Sequence, residues 1–211
     1  MQIEICDTLA MATKPSTNVR RRNGGTAQRI LDVAEQLVQV RGFNGFSYAD
    51  VAAELSITKA SLHYHYSGKA ELGVALIARY AERFTERLAA IDVEAADASA
   101  KLDAYARLYA DVLRGRRMCL CGMLAAEYET LPEQIRQAVI AFFDDNEAWL
   151  AGVLEQGRTD GRLRFEASAK DTARMIIGGL EGAMLVARPY SDVERFHTAA
   201  TTLLTNVARS D

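Results

Sequence analysis

Apolar and polar positions alternate with the 3.6-residue period of helices along almost the whole chain. Ile30, Ala34, Leu37 and Val38 mark one face of a first helix that begins at Thr26 and is stopped by Gly42 after Arg41. Phe43 and Phe46 flank a short glycine-containing link. Ser47, with Asp50 three positions on, forms a capping box for a short second helix that turns Val51, Ala52 and Leu55 inward. Ser56, Ile57 and Thr58 make a link, and Thr58 is placed to cap a third short helix across KASLHYH. Ser67 and Gly68 break that pattern. A long helix follows, with Leu72, Leu76, Tyr80, Phe84 and Leu88 recurring at every fourth residue.

The rest reads as helical too. Leu102, Tyr105, Leu108, Tyr109 and Val112 mark one helix, and Met118 to Glu129 a short one. Thr130 with Glu133 is expected to cap a longer helix that carries Pro132 in its first turn and Ile135, Val139, Phe142, Asn146, Trp149 and Val153 on its inner face. GRTDGRLRF is expected to be a loop. Ser168 with Asp171 opens a further helix (Ala173, Ile176, Ile177, Leu180, Met184) that Pro189 ends. Ser191 with Glu194 opens the last one (Phe196, Ala200, Leu203, Val207). No segment carries a strand pattern, so the expected fold class is all-α.

Charge divides this helical chain. The 211 residues carry a net charge of -3, yet Met11 to Lys69 holds eight Lys/Arg against four acids, a surplus of +4, which leaves -7 for the remainder. A basic front on an acidic body suits a nucleic-acid binder with a separate second function. Residues 1–25 are polar, end in RRRNGG and lack a period, so they read as a flexible basic arm, with Met11 a possible true start. No run reaches the roughly 18 to 20 apolar residues of a membrane span, the start lacks the basic flank of a secretory signal, and the three cysteines make no disulfide framework. The expectation is a cytoplasmic protein without a membrane partner.

Two short helices joined by a three-residue turn, the second polar and basic, have the shape of a helix-turn-helix unit whose second helix enters the DNA major groove. Lys59 and Ser61 can reach base edges or phosphates, and Ala60 permits close approach. Tyr64 and His65 can donate to phosphates, and Lys69 opens the next helix at its positive dipole end. The order of a first helix ending in RGF, followed by SYADVAAELSITKASLHYHYSGKAEL, resembles the DNA-binding domain of the TetR family of bacterial transcriptional regulators. The resemblance covers roughly residues 26 to 75. It implies a helix-turn-helix domain over 26–72 and a ligand-binding and dimerisation domain over 73–211. The function it implies is that of a repressor binding a palindromic double-stranded DNA operator as a homodimer, released by a small-molecule inducer. Ser47, Thr58, Lys59, Ala60, Ser61, His63, Tyr64, His65 and Lys69 are the candidate DNA contacts, and Tyr66 stands where the family usually has a core phenylalanine. His63 replaces the commoner tyrosine, which leaves the preferred base open.

In the body, GGLEGA aligns Gly178 with Gly182 and Gly179 with Ala183. With Phe196 and Leu203 of the last helix these form the candidate dimer interface, matching the last two helices of the resembling family. Tyr105, Tyr109, Met118, Met123, Phe142, Trp149 and Met175 offer aromatic and thioether surface for an inducer, or simply core packing. Cys119 and Cys121 lie among Arg114, Arg116 and Arg117, whose charge is expected to depress a thiol pKa and favour reaction with electrophiles. The segment also resembles a TetR branch in which such a cysteine responds to reactive aldehydes, quinones or chlorine oxidants; a buried cysteine acting as a small hydrophobe is the alternative.

Two rival classes have less support. A thiol-dependent enzyme would need a positioned base, and His197 is the only histidine outside the reading segment. A helix-turn-helix adaptor for protein partners would keep its binding at high salt, unlike phosphate contacts. A metal site is not expected, because His63 and His65, two apart, cannot share a helical face, and no cofactor motif is present.

Overall fold

The structure is a computed structural model and describes residues 17–207. Every regular element among them is a helix: α1 (Thr17–Arg41), α2 (Tyr48–Leu55), α3 (Lys59–His65), α4 (Lys69–Glu94), α5 (Ala98–Arg114), α6 (Leu120–Ala126), α7 (Glu133–Thr159), α8 (Ala169–Ala187) and α9 (Val193–Val207), with short 3-10 turns at Tyr128–Thr130 and Arg188–Tyr190. The all-α expectation holds. The helix expected to start at Thr26 begins at Thr17 instead and runs through the stretch read as the end of the arm. Once the amphipathic part of a helix is nucleated by packing, each further residue adds one hydrogen bond, so propagation can carry it across weak glycines. Residues 1–16, with Met11 and most of the proposed arm, lie outside the described residues.

The head is built on local signals that the chain spells out. Gly42, at φ +84°, closes α1 by returning its N–H to Val38 O at 2.9 Å, the left-handed conformation that glycine adopts without strain. The Asp50 carboxylate accepts from both the backbone N and Oγ of Ser47, each at 2.7 Å, and so caps α2. Thr58 Oγ1 accepts from Ser61 N at 3.1 Å and caps α3. Glu71 in turn reaches back to Ser67 N at 2.8 Å at the start of α4. Ile30, Ala34, Val38, Val51, Leu62 and Leu72 are buried to 0% exposure and form the floor of this unit.

That core continues without a break into the body, where α4 packs on α7 and α8 lies between α7 and α9. Gly73 is the point of closest approach: a Cβ there would stand 2.4 Å from Ile135 Cδ1 and 2.9 Å from a Phe43 ring carbon. Head, long helix and body thus meet at one residue that must be small. The Ser168 cap of α8 is present, with Asp171 N donating to Ser168 Oγ at 3.0 Å.

Several boundaries differ from expectation. Thr130 does not cap α7; its hydroxyl donates to Glu127 O at 2.8 Å inside a 3-10 turn, and Pro132 is the residue before the helix. Pro132 has no side-chain acceptor to offer, so no side chain caps the first turn of α7. The segment read as one helix from Met118 to Glu129 is α6 plus that turn. The expected loop GRTDGRLRF begins inside α7, which runs to Thr159 and ends in a glycine turn at Gly161. Ser191 does not cap α9: it sits at φ +52° as the left-handed end of the preceding turn, and Asp192 accepts from Arg195 N at 3.1 Å.

Candidate DNA-reading head and effector sites

Leu62 anchors α3 by burying its whole side chain, which turns Lys59, Ala60, His63 and Tyr64 outward. Tyr64 is 73% exposed, an unusual exposure for so large a side chain and apt for contact with another molecule. His65, half-buried, has its ring 5.2 Å from that of Tyr64. The reader is braced from α2: Tyr48 OH donates to Tyr66 O at 3.0 Å, and burial, with Glu71 nearby, pushes its pKa up to about 12, so the phenol keeps its proton. Tyr66 is half-buried against the core, as the resemblance implied.

His63 is oriented as well as exposed. Its Nδ1 lies 3.0 Å from Ser67 O, and its ring packs 4.9 Å from that of Tyr48. A carbonyl oxygen only accepts, so Nδ1 carries the proton, and in the neutral ring Nε2 is left as an acceptor. Ser47, Lys59, His63 and Lys69 line one cleft with Phe46, Tyr48 and Ala49, which brings together residues from α2, α3 and α4. Besides Thr58 and His63, two more of the expected DNA contacts are already engaged within the protein. The Ser47 hydroxyl proton is committed to Asp50. Lys69 donates to Phe46 O at 2.5 Å, and its ammonium lies over the rings of Phe43 (4.7 Å) and Phe46 (4.3 Å). Burial lowers its pKa, opposed by Glu127 and Asp50. Lys69 therefore tethers the α1–α2 link, with two ammonium protons left over for a phosphate.

The body residues expected to bind an inducer fall into four groups. Tyr105, Tyr109, Met118, Cys119, Cys121 and Phe142 are buried in the core. The Tyr105 and Tyr109 hydroxyls are 3.0 Å apart, and Tyr105 OH donates to Asn146 Oδ1 at 3.3 Å. Phe142 and Trp149 also line an open cleft of about 430 Å³ between α4 and α7, with Phe84, Leu88, Asp92 and Asn146. Trp149 Nε1 donates to Asp92 there at 2.9 Å, and Met123 lies half-buried near Arg188. Met175 is a correction: it is 60% exposed on the outer face of α8 and does not line the cleft between α4 and α7.

The cysteines require a second correction. Cys119 and Cys121 are both buried, and burial first, then the Glu181 carboxyl, drive their thiol pKa values well above the ordinary range. The arginines that were expected to depress them are turned elsewhere: Arg114 to Asp111, Arg117 to Gln39, and Arg116 to the surface. Cys119 Sγ instead accepts from Gly122 N at 3.5 Å and lies 3.9 Å from Tyr80 OH. Glu181 went unnoticed in the sequence because its meeting with Cys119 comes only from packing of α8 on α6. It keeps some exposure as a residue, yet its Oε1 is sealed without a hydrogen-bond partner, and burial raises its pKa.

The candidate interface residues also divide. Gly178 and Gly182 face outward with no atom within 4 Å of an added Cβ, whereas Gly179 is packed inside, where a Cβ would meet Leu203 Cδ2 at 2.4 Å. Ala183 is half-buried. Phe196 is 0% exposed within the single chain, so it is core and has no surface to give a partner. Met175, Leu185 (61% exposed) and Val186 (57%) extend the outward glycine stripe instead.

A capped two-helix reader on a helical body with its own clefts defines a bacterial helix-turn-helix regulator. Residues 30–76 match the family described as bacterial regulatory proteins, tetR family, and residues 98–203 match the tetracyclin repressor-like C-terminal domain. The chain belongs to the TetR family, and it is a DNA-binding transcriptional regulator of the repressor kind. A TetR-family regulator from Agrobacterium tumefaciens is 30% identical over 88% of this chain and 98% of its own, with a TM-score of 0.84. The repressor NemR of Escherichia coli is 25% identical over 77% of this chain and 84% of its own length. The regulator AcuR of Cereibacter sphaeroides is 25% identical over 70% and 69%.

Proposed function

We propose that two copies of this chain pair through the outer faces of α8 and α9 and lay their α3 helices in successive major grooves of a palindromic operator. The observation that carries this reading is α3 itself: one leucine buried completely, and the opposite face, with Lys59, Ala60, His63 and Tyr64, held outward by caps at both ends. One short helix contacts few bases, and two spaced by about 34–36 Å combine their contacts. With Nε2 an acceptor, His63 favours a base that presents an amino group in the major groove, adenine or cytosine. The protein acts in the cytoplasm, where its operator is.

The inducer enters the α4/α7 cleft, whose volume of about 430 Å³ suits a small ligand and whose wall includes α4, the helix that also carries the head. A ligand that fits only the non-binding geometry shifts the population away from DNA, with a coupling of about 1–3 kcal/mol. A thiol-dependent enzyme is opposed by the buried, protonated state of Cys119.

Selection of bound sequences from random DNA tests the reading, the expected product being an inverted repeat with one helical turn between half-site centres. His63→Ala is expected to change the selected base at one half-site position. Lys69→Met, which keeps the apolar stem over Phe43 and Phe46, is expected to weaken all sequences alike. No enrichment, or equal losses on specific and random DNA for both variants, would contradict the assignment.

A further inference from the structure

A second groove, about 660 Å³, lies away from the α4/α7 cleft, where the end of α1, the α5–α6 link and the turn between α8 and α9 meet. Its walls are Val40, Leu113, Arg114, Gly115, Arg116, Arg188, Ser191 and Val193: three guanidiniums and no carboxylate. Arg114 is held by Asp111 at 2.6 Å and stands 3.0 Å from His197 Nε2. Arg188 has no acidic partner among the described residues; it donates to Val40 O on α1, and to Met123 Sδ on α6 at 3.5 Å. Arg116 and Ser191 are exposed, and neither side chain has a partner among the described residues.

Backbone strain converges on the same place. Among the described residues three that are not glycine have positive φ, and two of them, Arg116 (+56°) and Ser191 (+52°), line this groove. Glycine would hold either turn more easily, so the chain keeps an arginine and a hydroxyl at positions where the backbone disfavours any side chain. Such strain at an exposed side chain with no hydrogen-bond or ion-pair partner among the described residues points to a role outside the fold.

We propose that this groove binds a small molecule bearing a diphosphate or a similarly spaced pair of anionic groups, and that the anion works against the DNA-bound state by drawing Arg188 off the α1 carbonyl. Planar guanidiniums bind phosphate and carboxylate oxygens through paired N–H donors, and a charged acceptor outcompetes a neutral carbonyl for the same donor. Arg116 and Arg114 face the anion from the α5 end, and Arg188 and the Ser191 hydroxyl from the α8 end. Because Arg188 clasps the last turn of α1, its departure loosens the head from α8. The second half of the proposal rests on the operator-binding reading above; the site itself does not.

Calorimetric titration of the full chain, without DNA, with inorganic pyrophosphate at constant ionic strength tests the site. One pyrophosphate per protomer is expected, bound more tightly than sulfate, an oxyanion with a single charged centre. Arg116→Gln keeps the same backbone strain and is expected to weaken binding roughly tenfold or more, the usual cost of losing a charge-assisted contact. Arg116→Gly is expected to weaken it equally while raising the thermal midpoint, an opposite movement that a purely structural arginine would not give. Lys59→Gln on the reading head is expected to leave it unchanged. Absence of saturable binding, equal binding by wild type and Arg116→Gln, or loss in Lys59→Gln instead would overturn the site. In a second arm, saturating pyrophosphate is expected to lower operator affinity in the wild type and not in Arg116→Gln; intact binding with unchanged operator affinity would overturn the coupling alone.

Discussion

Glu181 and Cys119 show how far a single buried contact can move the chemistry of a residue. Sequence proximity to three arginines argues for an activated thiol, but electrostatics act through space, and the titratable group that faces the thiol is the Glu181 carboxyl. Both groups are acids whose folded-state pKa is raised, Glu181 from 4.5 and Cys119 from 9.0. The folded chain therefore holds a proton on Glu181 that the unfolded chain releases above 4.5, and stability falls as pH rises from there through the folded pKa. In urea unfolding between about pH 4 and pH 8, the stability of wild type minus that of Glu181→Gln is expected to be greatest at the acid end and to shrink upward, because glutamine does not titrate. A difference that stays constant would mean that Glu181 titrates normally. The thiol gives an independent check: iodoacetamide is expected to label Cys119 far more slowly in the native than in the urea-unfolded chain at neutral pH, with the native rate rising only beyond the ordinary thiol range. Rapid native labelling would restore the activated cysteine.

Helix against helix, the joint that matters most is α1 on α4. Glu35 is buried, its side chain 6% exposed, and accepts from Arg79 at 2.7 Å and Arg83 at 3.0 Å; Arg79 also holds Asp32 at 2.6 Å. Arg79, 10% exposed, cannot turn to water when its partner is lost. Glu35→Ala is accordingly expected to cost about 3 kcal/mol in urea unfolding, the lower end of the penalty for breaking a buried ion pair, because Arg79 is left with Asp32 alone. Asp32→Ala, whose carboxylate is 54% exposed, is expected to cost less than about 1 kcal/mol. Equal costs would show that Arg79 is hydrated after all. This joint also marks the boundary of what the chain disclosed by itself. Ser47 with Asp50, Thr58, Gly42 and the lone Leu62 are signals whose partners lie within a few residues, so the head could be read almost completely. The Glu35–Arg79 pair, the Lys69 tether and the Glu181–Cys119 contact join residues remote in sequence, and only packing decides which charge meets which. The errors at Thr130 and Ser191 arose because several residues there could cap, and the local turn selected among them.

At the scale of the whole molecule, the outer face of α8 is an incomplete surface. Met175, Gly178, Gly182, Leu185 and Val186 recur at helical spacing and stand in solvent in the single chain, with the space before both glycines open. A contiguous apolar stripe with small residues at its centre favours close approach of another helix, and a second copy of the same face is self-complementary about a two-fold axis. Phe196 and Gly179 are already used within the chain, so the proposed pairing rests on this stripe and on the polar outer face of α9. Leu185→Glu places a charge at its edge without touching the core, since Leu185 is 61% exposed. The variant is expected to keep its thermal midpoint at dilute protein, to sediment as a monomer, and to lose operator affinity by about a hundredfold or more, because the second reader then no longer binds as a tethered copy of the first. If Leu185→Glu remained dimeric with undiminished operator affinity, the two protomers would have to meet elsewhere, and the spacing of the two α3 helices would have to be set by a different pair of surfaces.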